Sequence, residues 1–257
     1  MKSRRRKAWV PSLVLGIVLL GVWWATTTFG VIDTAFLPTP QSAVGRLIYG
    51  LQQGYLATAT WVTLQEALGG CAIAAILGIP TGYGIAKSRL FARAVQPYLA
   101  AAQAIPAVAI APLLTIWIGY GKLPIIVLCT IMVVFPVVIS SSVGFRHINH
   151  DVLGAARLDG ASGWTLIRYM ELPLAAPGIL AGLRTGFTLS ITGAVVGEMI
   201  IGGNGLGMTL LSSQGSADVK GMFATIILLA CCAMAIYGLI AFVEQRANYL
   251  IRDARPR

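Results

Sequence analysis

The sequence predicts an all-α protein that crosses a membrane six times. Hydrophobic residues fill 57% of its 257 positions and charged residues 11%, whereas soluble domains have roughly half and roughly a quarter. The mean hydropathy is +0.79. Apolar runs recur at residues 10–29, 57–86, 95–118, 123–145, 177–201 and 221–243, each near the 20 or so residues that a helix needs to cross the hydrocarbon core. The longest polar interruption, residues 146–176, is patterned rather than random. The expected organisation is a single transmembrane domain over residues 1–257, with no room for a large soluble one.

The first run follows a basic start, Lys2, Arg4, Arg5, Arg6 and Lys7. A signal peptide would begin this way, but the run exceeds the usual 7–15 residue core and no A-x-A site follows, so a retained helix is expected. Ser3-Arg4-Arg5 lacks the rest of a twin-arginine signal. Next, Phe36-Leu37-Pro38-Thr39-Pro40 is held extended by its prolines. Gln41 to Leu51 then reads as a short amphipathic helix, with Val44, Leu47, Ile48 and Leu51 against the membrane surface.

The second run ends at Lys87, Arg89 and Arg93. It is rich in small residues (Gly69, Gly70, Ala74, Gly78, Gly82, Gly84), which let membrane helices approach closely and mark a bundle-centre helix. Pro80 inside it frees a carbonyl that a neighbour or water must satisfy. The third run holds Pro97, Pro106 and Pro112, and helices broken in this way line interiors. Gln103 sits one turn before Pro106. A tight turn, Gly119-Tyr120-Gly121-Lys122, leads to the fourth run, which carries Pro136 and Ser140-Ser141-Ser142. A glycine-rich segment reaching Lys220 separates the fifth run from the sixth.

In the polar stretch, Ile148, Val152, Ala155 and Asp159 share a helical face, and Gly160 ends that helix. Ser162 caps a second short helix with Trp164, Ile167 and Met170 on one side. Pro173, without an amide donor, is expected to stop it. The predicted shape is a compact helix–turn–helix elbow suited to another protein's groove.

Net charge +10 would point to nucleic acid in a soluble protein, but here the distribution excludes that partner. With both termini inside, the N-tail, the 87–93 loop, the elbow loop and the C-tail (Arg246, Arg252, Arg255, Arg257) hold the basic residues. Only Arg46, Lys122 and Lys220 fall outside, and Arg184 lies within a span. The positive-inside rule therefore places the termini and the elbow in the cytoplasm.

No phosphate-binding, nucleophile or zinc motif is present. Cys71, Cys129, Cys231 and Cys232 sit in apolar runs without metal-ligand spacing, and no metal or cofactor is expected. His147 and His150 read as solvated or partner-contacting loop residues. Glu66, Arg184 and Glu198 are the ionisable residues in or at the edges of spans, where a charge costs about 2.5–3.5 kcal/mol and must face the interior or water. Arg184 either guides an anion, pairs with a carboxylate, or reaches for headgroups or the elbow. Glu66 is either functional or a structural partner.

The elbow residues carry a family likeness. Ala155-Ala156, Gly160 four residues on, and Leu172-Pro173 after a short helix resemble the EAA loop of bacterial ABC importer permeases. The family usually has glutamate where this chain has Gly154. The Leu37-Pro38-Thr39-Pro40 stretch, and Glu198-Met199 followed by Gly205-Leu206-Gly207, resemble the permeases for sulfonates, taurine and nitrate. The likeness runs from Leu37 to about Leu211. It implies a type I importer permease in the bacterial inner membrane, working as a homodimer in the lipid bilayer. A cytoplasmic ATPase pair would dock on Ala155, Ala156, Gly160, Trp164, Leu172 and Pro173, and an exterior solute-binding protein would deliver a small solute, an anion such as a sulfonate, taurine or nitrate.

Within that frame Gln103, Pro106, Glu198, Gly205 and Gly207 are the candidate pathway and gate residues, and the chain itself is no enzyme. The alternative, a self-contained channel or secondary transporter, calls for inverted repeats and mid-membrane relays. An intramembrane enzyme calls for a nucleophile–base or metal constellation. The sequence displays neither pattern.

Overall fold

A computed structural model describes residues 10–253, and every described element is helical: α1 Val10–Thr28, α2 Pro40–Gln52, α3 Tyr55–Lys87, α4 Arg89–Gln103, α5 Ala107–Ile118, α6 Lys122–Arg146, α7 His150–Leu158, α8 Gly163–Leu166, α9 Leu172–Ile201, α10 Leu206–Gly215 and α11 Val219–Asp253. A π turn, Ile167–Glu171, joins α8 to α9. By length and apolarity, α3, α6, the run from Gly163 to Ile201, and α11 can each cross a membrane. The basic residues before residue 10 and after residue 253 lie outside the described part of the chain.

The described chain divides into two compact units, one of residues 10–59 and 209–228, the other of residues 60–208 and 229–253. In the first, the Trp23 indole N–H donates to the Pro38 carbonyl at 2.9 Å, and its ring lies 5.7 Å from that of Phe223. Thr39 caps α2 by accepting the Ser42 amide, with Pro40 at the first turn, where its missing donor costs nothing. Arg46 on α2 reaches Asp218 at 2.8 Å and donates to the Tyr55 hydroxyl at 2.9 Å. Asp218 also accepts the Gly221 amide at 2.9 Å, capping α11. Burial pushes its carboxyl up, but the Gly221 amide and the Arg46 guanidinium outweigh that and hold it below the ordinary aspartate value.

The second unit is organised on α6. Ile125, Leu128, Cys129, Val133 and Val137 are fully buried, and both neighbours approach through glycines. A Cβ on Gly82 of α3 would stand 2.7 Å from the Val138 carbonyl, and one on Gly182 of α9 would stand 2.7 Å from the Ser140 Cβ. Without water to expel between helices, such backbone approach supplies the dispersion that holds them. The small-residue run of α3 therefore serves as a smooth face for α6, which is itself the central rod.

The proline break expected in the run at 95–118 is sharp: α4 and α5 meet at 96°, because Pro106 lacks an amide and forces Ile105 out of helical geometry. One expectation about helix continuity changes: the elbow's second helix does not stop at Pro173. The Leu172 amide donates five residues back to the Ile167 carbonyl, so the wider turn absorbs the break and the helix continues to Ile201.

Candidate functional site: elbow, broken span and glycine-rich segment

The elbow folds as a helix pair around a small apolar core. Asn149 caps α7, its side chain accepting the Asp151 amide, and Gly160 ends that helix at φ +89°, which only glycine adopts freely. The buried face consists of Ile148, Leu153, Ala156 and Leu166; Val152, Ala155 and Asp159, expected on one face, share the exposed one, while Ile148, placed with them, is buried. Of the expected docking residues, Ala155, Gly160, Trp164 and Pro173 are exposed, Leu172 is partly covered and Ala156 is buried. Leu158 at 90%, and Trp164 and Tyr169 each at 68% exposure, are the large apolar groups facing furthest out.

One elbow contact was missed in reading the sequence. Lys87 at the end of α3 places its Nζ 2.6 Å from Glu171 Oε1, and Glu171 is 1% exposed. Tyr83, one turn earlier, lies beneath the Lys87 ammonium at 5.5 Å and edge-on to Phe145 at 5.0 Å. Arg146 donates to the Ile85 carbonyl at 3.1 Å. The available signal was a lone glutamate between Met170 and Leu172, in an otherwise apolar approach to Pro173. His147 Nδ1 lies 2.8 Å from the Val143 carbonyl of its own helix.

At the break between α4 and α5, a cavity of about 620 Å³ opens, lined by Gln103, Pro106, Met132, Phe135, Ser140 and neighbouring apolar side chains. Its polar side-chain groups are the Gln103 amide and the Ser140 hydroxyl, and no charged side chain borders it among the described residues. Gln103 and Pro106 are thus brought together on one hollow. Arg184 lies elsewhere: its guanidinium pairs with Glu244 at 2.9 Å and stacks on Tyr237 at 5.0 Å.

The far end of α9 holds the third constellation. Glu198, fully buried, accepts the Thr63 hydroxyl at 2.6 Å and the Gly207 amide. Thr63 accepts the Leu206 amide at 2.8 Å in turn. A Cβ on Gly205 or Gly207 would collide with the Glu198 carboxyl, so the glycines are there for close approach. Glu198, Gly205 and Gly207 therefore form one hydrogen-bonded clasp that folds residues 202–207 back onto α3. Glu66, also fully buried, faces Glu198. Neither of its carboxyl oxygens accepts a hydrogen bond among the described residues.

Residues 74–249 match the binding-protein-dependent transport system inner membrane component. The chain belongs to this family of ABC importer permeases. It is 36% identical over 248 residues to the riboflavin transport system permease protein RibX of Chloroflexus aurantiacus, covering 95% of this chain and 92% of that one. It is 31% identical over 233 residues to the taurine transport system permease protein TauC of Escherichia coli, covering 89% and 82%. Among solved structures, an inward-facing form of the MetNI methionine ABC transporter aligns with a TM-score of 0.64 at 20% identity, over 79% of this chain and 97% of that one. At that identity the likeness is one of fold.

Proposed function

We propose that this permease works as a homodimer in the bacterial inner membrane, with its termini and elbow cytoplasmic and an ATPase subunit seated on each elbow. A solute-binding protein delivers the solute on the other side, and the pathway passes the hollow at Gln103 and Pro106. The observation that carries this is the elbow itself. Leu158 and Trp164 stand out in water on a helix pair fixed by its own apolar core, and exposed apolar groups on a rigid polar loop mark an interaction surface. Positive-inside bias supports the orientation. The clasp at Glu198 fits a gate at the opposite mouth, since irregular backbone at membrane depth belongs where it is buried or lines a cavity.

The test is co-purification with the ATPase. Changing Ala155 to Trp and Trp164 to Ala should abolish capture and ATP-driven uptake while leaving the size-exclusion profile unchanged. Full capture by the folded double variant would overturn the docking assignment. For the solute, the taurine relative supports a small anion. The hollow favours a second reading, an uncharged planar ring compound. A desolvated anion needs cationic or several N–H donors, and the lining offers one amide and one hydroxyl. The riboflavin relative supports this. Uptake of riboflavin against taurine by the reconstituted importer decides between them.

A further inference from the structure

The elbow touches three long helices in different ways. It is continuous with α9 through the π turn, and it follows α6 directly in the chain. The third helix, α3, lies far away in sequence. Tyr83 and Ala86 of α3 pack against the elbow's apolar cluster, and such contacts are non-directional and can slide. The Lys87–Glu171 pair is different. Its carboxylate is 1% exposed and its N–O distance is 2.6 Å, so separating the two charges would strand a buried ion. The lysine stem is further held over the Tyr83 ring.

The pair also joins two singular points. Lys87 is the last residue of α3, and Glu171 is the last residue of the π turn. A π turn is where a helix can change its hydrogen-bond register. We infer that Lys87 and Glu171 form a strut that transmits displacement of the elbow to α3, so that α3 moves with α9 instead of being left behind. Lys87 and Glu171 are thus positioning residues for the transport cycle. At its other end α3 carries Thr63 and Glu66, so the strut links the elbow to the clasp through one continuous helix. The inference rests on the importer function proposed above.

The experiment uses the full chain in nanodiscs with the ATPase it co-purifies with, in a background with Cys231 and Cys232 changed to serine. Nitroxide labels are placed at His150→Cys on the elbow or at Trp61→Cys on α3, both exposed positions, and distances between the two copies are measured by pulsed electron paramagnetic resonance. In the parent, trapping with ATP and vanadate should move both labels. If the elbow label does not move there, the importer assignment fails, whatever the strut does. With Lys87→Met or Glu171→Gln, the elbow shift should persist while the α3 shift falls about twofold or more, the scale of coupling carried by single contacts. The swap Lys87→Glu with Glu171→Lys should restore it. A merely structural role would reduce both shifts in proportion. Equal parental shifts at both labels in folded Glu171→Gln, which keeps the side-chain shape, would overturn the strut.

Discussion

Replacing Thr63 with valine keeps the side-chain shape and removes the one oxygen on which the clasp turns. That hydroxyl donates to Glu198 at 2.6 Å and accepts the Leu206 amide at 2.8 Å, and Thr63 is 2% exposed. The variant leaves the Leu206 amide without this acceptor, at about 1–3 kcal/mol for a buried donor, and removes one donor from Glu198, at about 1–2 kcal/mol. The central expectation is a local destabilisation of about 3 kcal/mol, or about 10²-fold in the opening equilibrium of residues 202–208 at 1.4 kcal/mol per decade. Hydrogen exchange of the Leu206 and Gly207 amides in detergent reads that opening directly. Serine at the same position retains the hydroxyl and should stay near wild type. Amides of the valine variant exchanging within about threefold of wild type would refute the clasp.

Two further outcomes follow from the same physics. Glu66→Gln keeps a donor facing the Glu198 carboxyl and removes the like-charge repulsion between two buried carboxyls. It should raise stability by about 1 kcal/mol, read as a thermal midpoint higher by about 2–4 °C; a lower midpoint would contradict the placement of Glu66. The Asp218 carboxyl is held below its ordinary value, so its pairing with Arg46 stabilises fully above that value and is lost as pH falls through the lower folded value. Thermal melts on the acid side of about pH 4 should therefore decline more steeply in the parent than in Asp218→Asn, which keeps the cap on Gly221; parallel declines would remove the ion pair from that role.

The sequence by itself determined what depends on composition and local chemistry. Apolar runs of bilayer length dictate helices. Gly160 must end α7, because its left-handed backbone suits only glycine, and Pro106 must interrupt the run around it. The EAA-like spacing from Ala155 to Pro173, and the glutamate followed by glycines at 198–207, were legible because each is a short pattern with a local physical cause. Tertiary structure decided which faces those patterns present. It turned Leu153 inward and Ala155 outward, bent α4 against α5 at 96°, and carried the helix through Pro173 by a π turn. It also brought Lys87 to Glu171, Thr63 to Glu198 and Arg184 to Glu244. Each of these pairs joins residues far apart along the chain. The first two meetings are fixed by glycine-smoothed packing of α3 and α9 on α6, a three-dimensional fit that no window of sequence encodes.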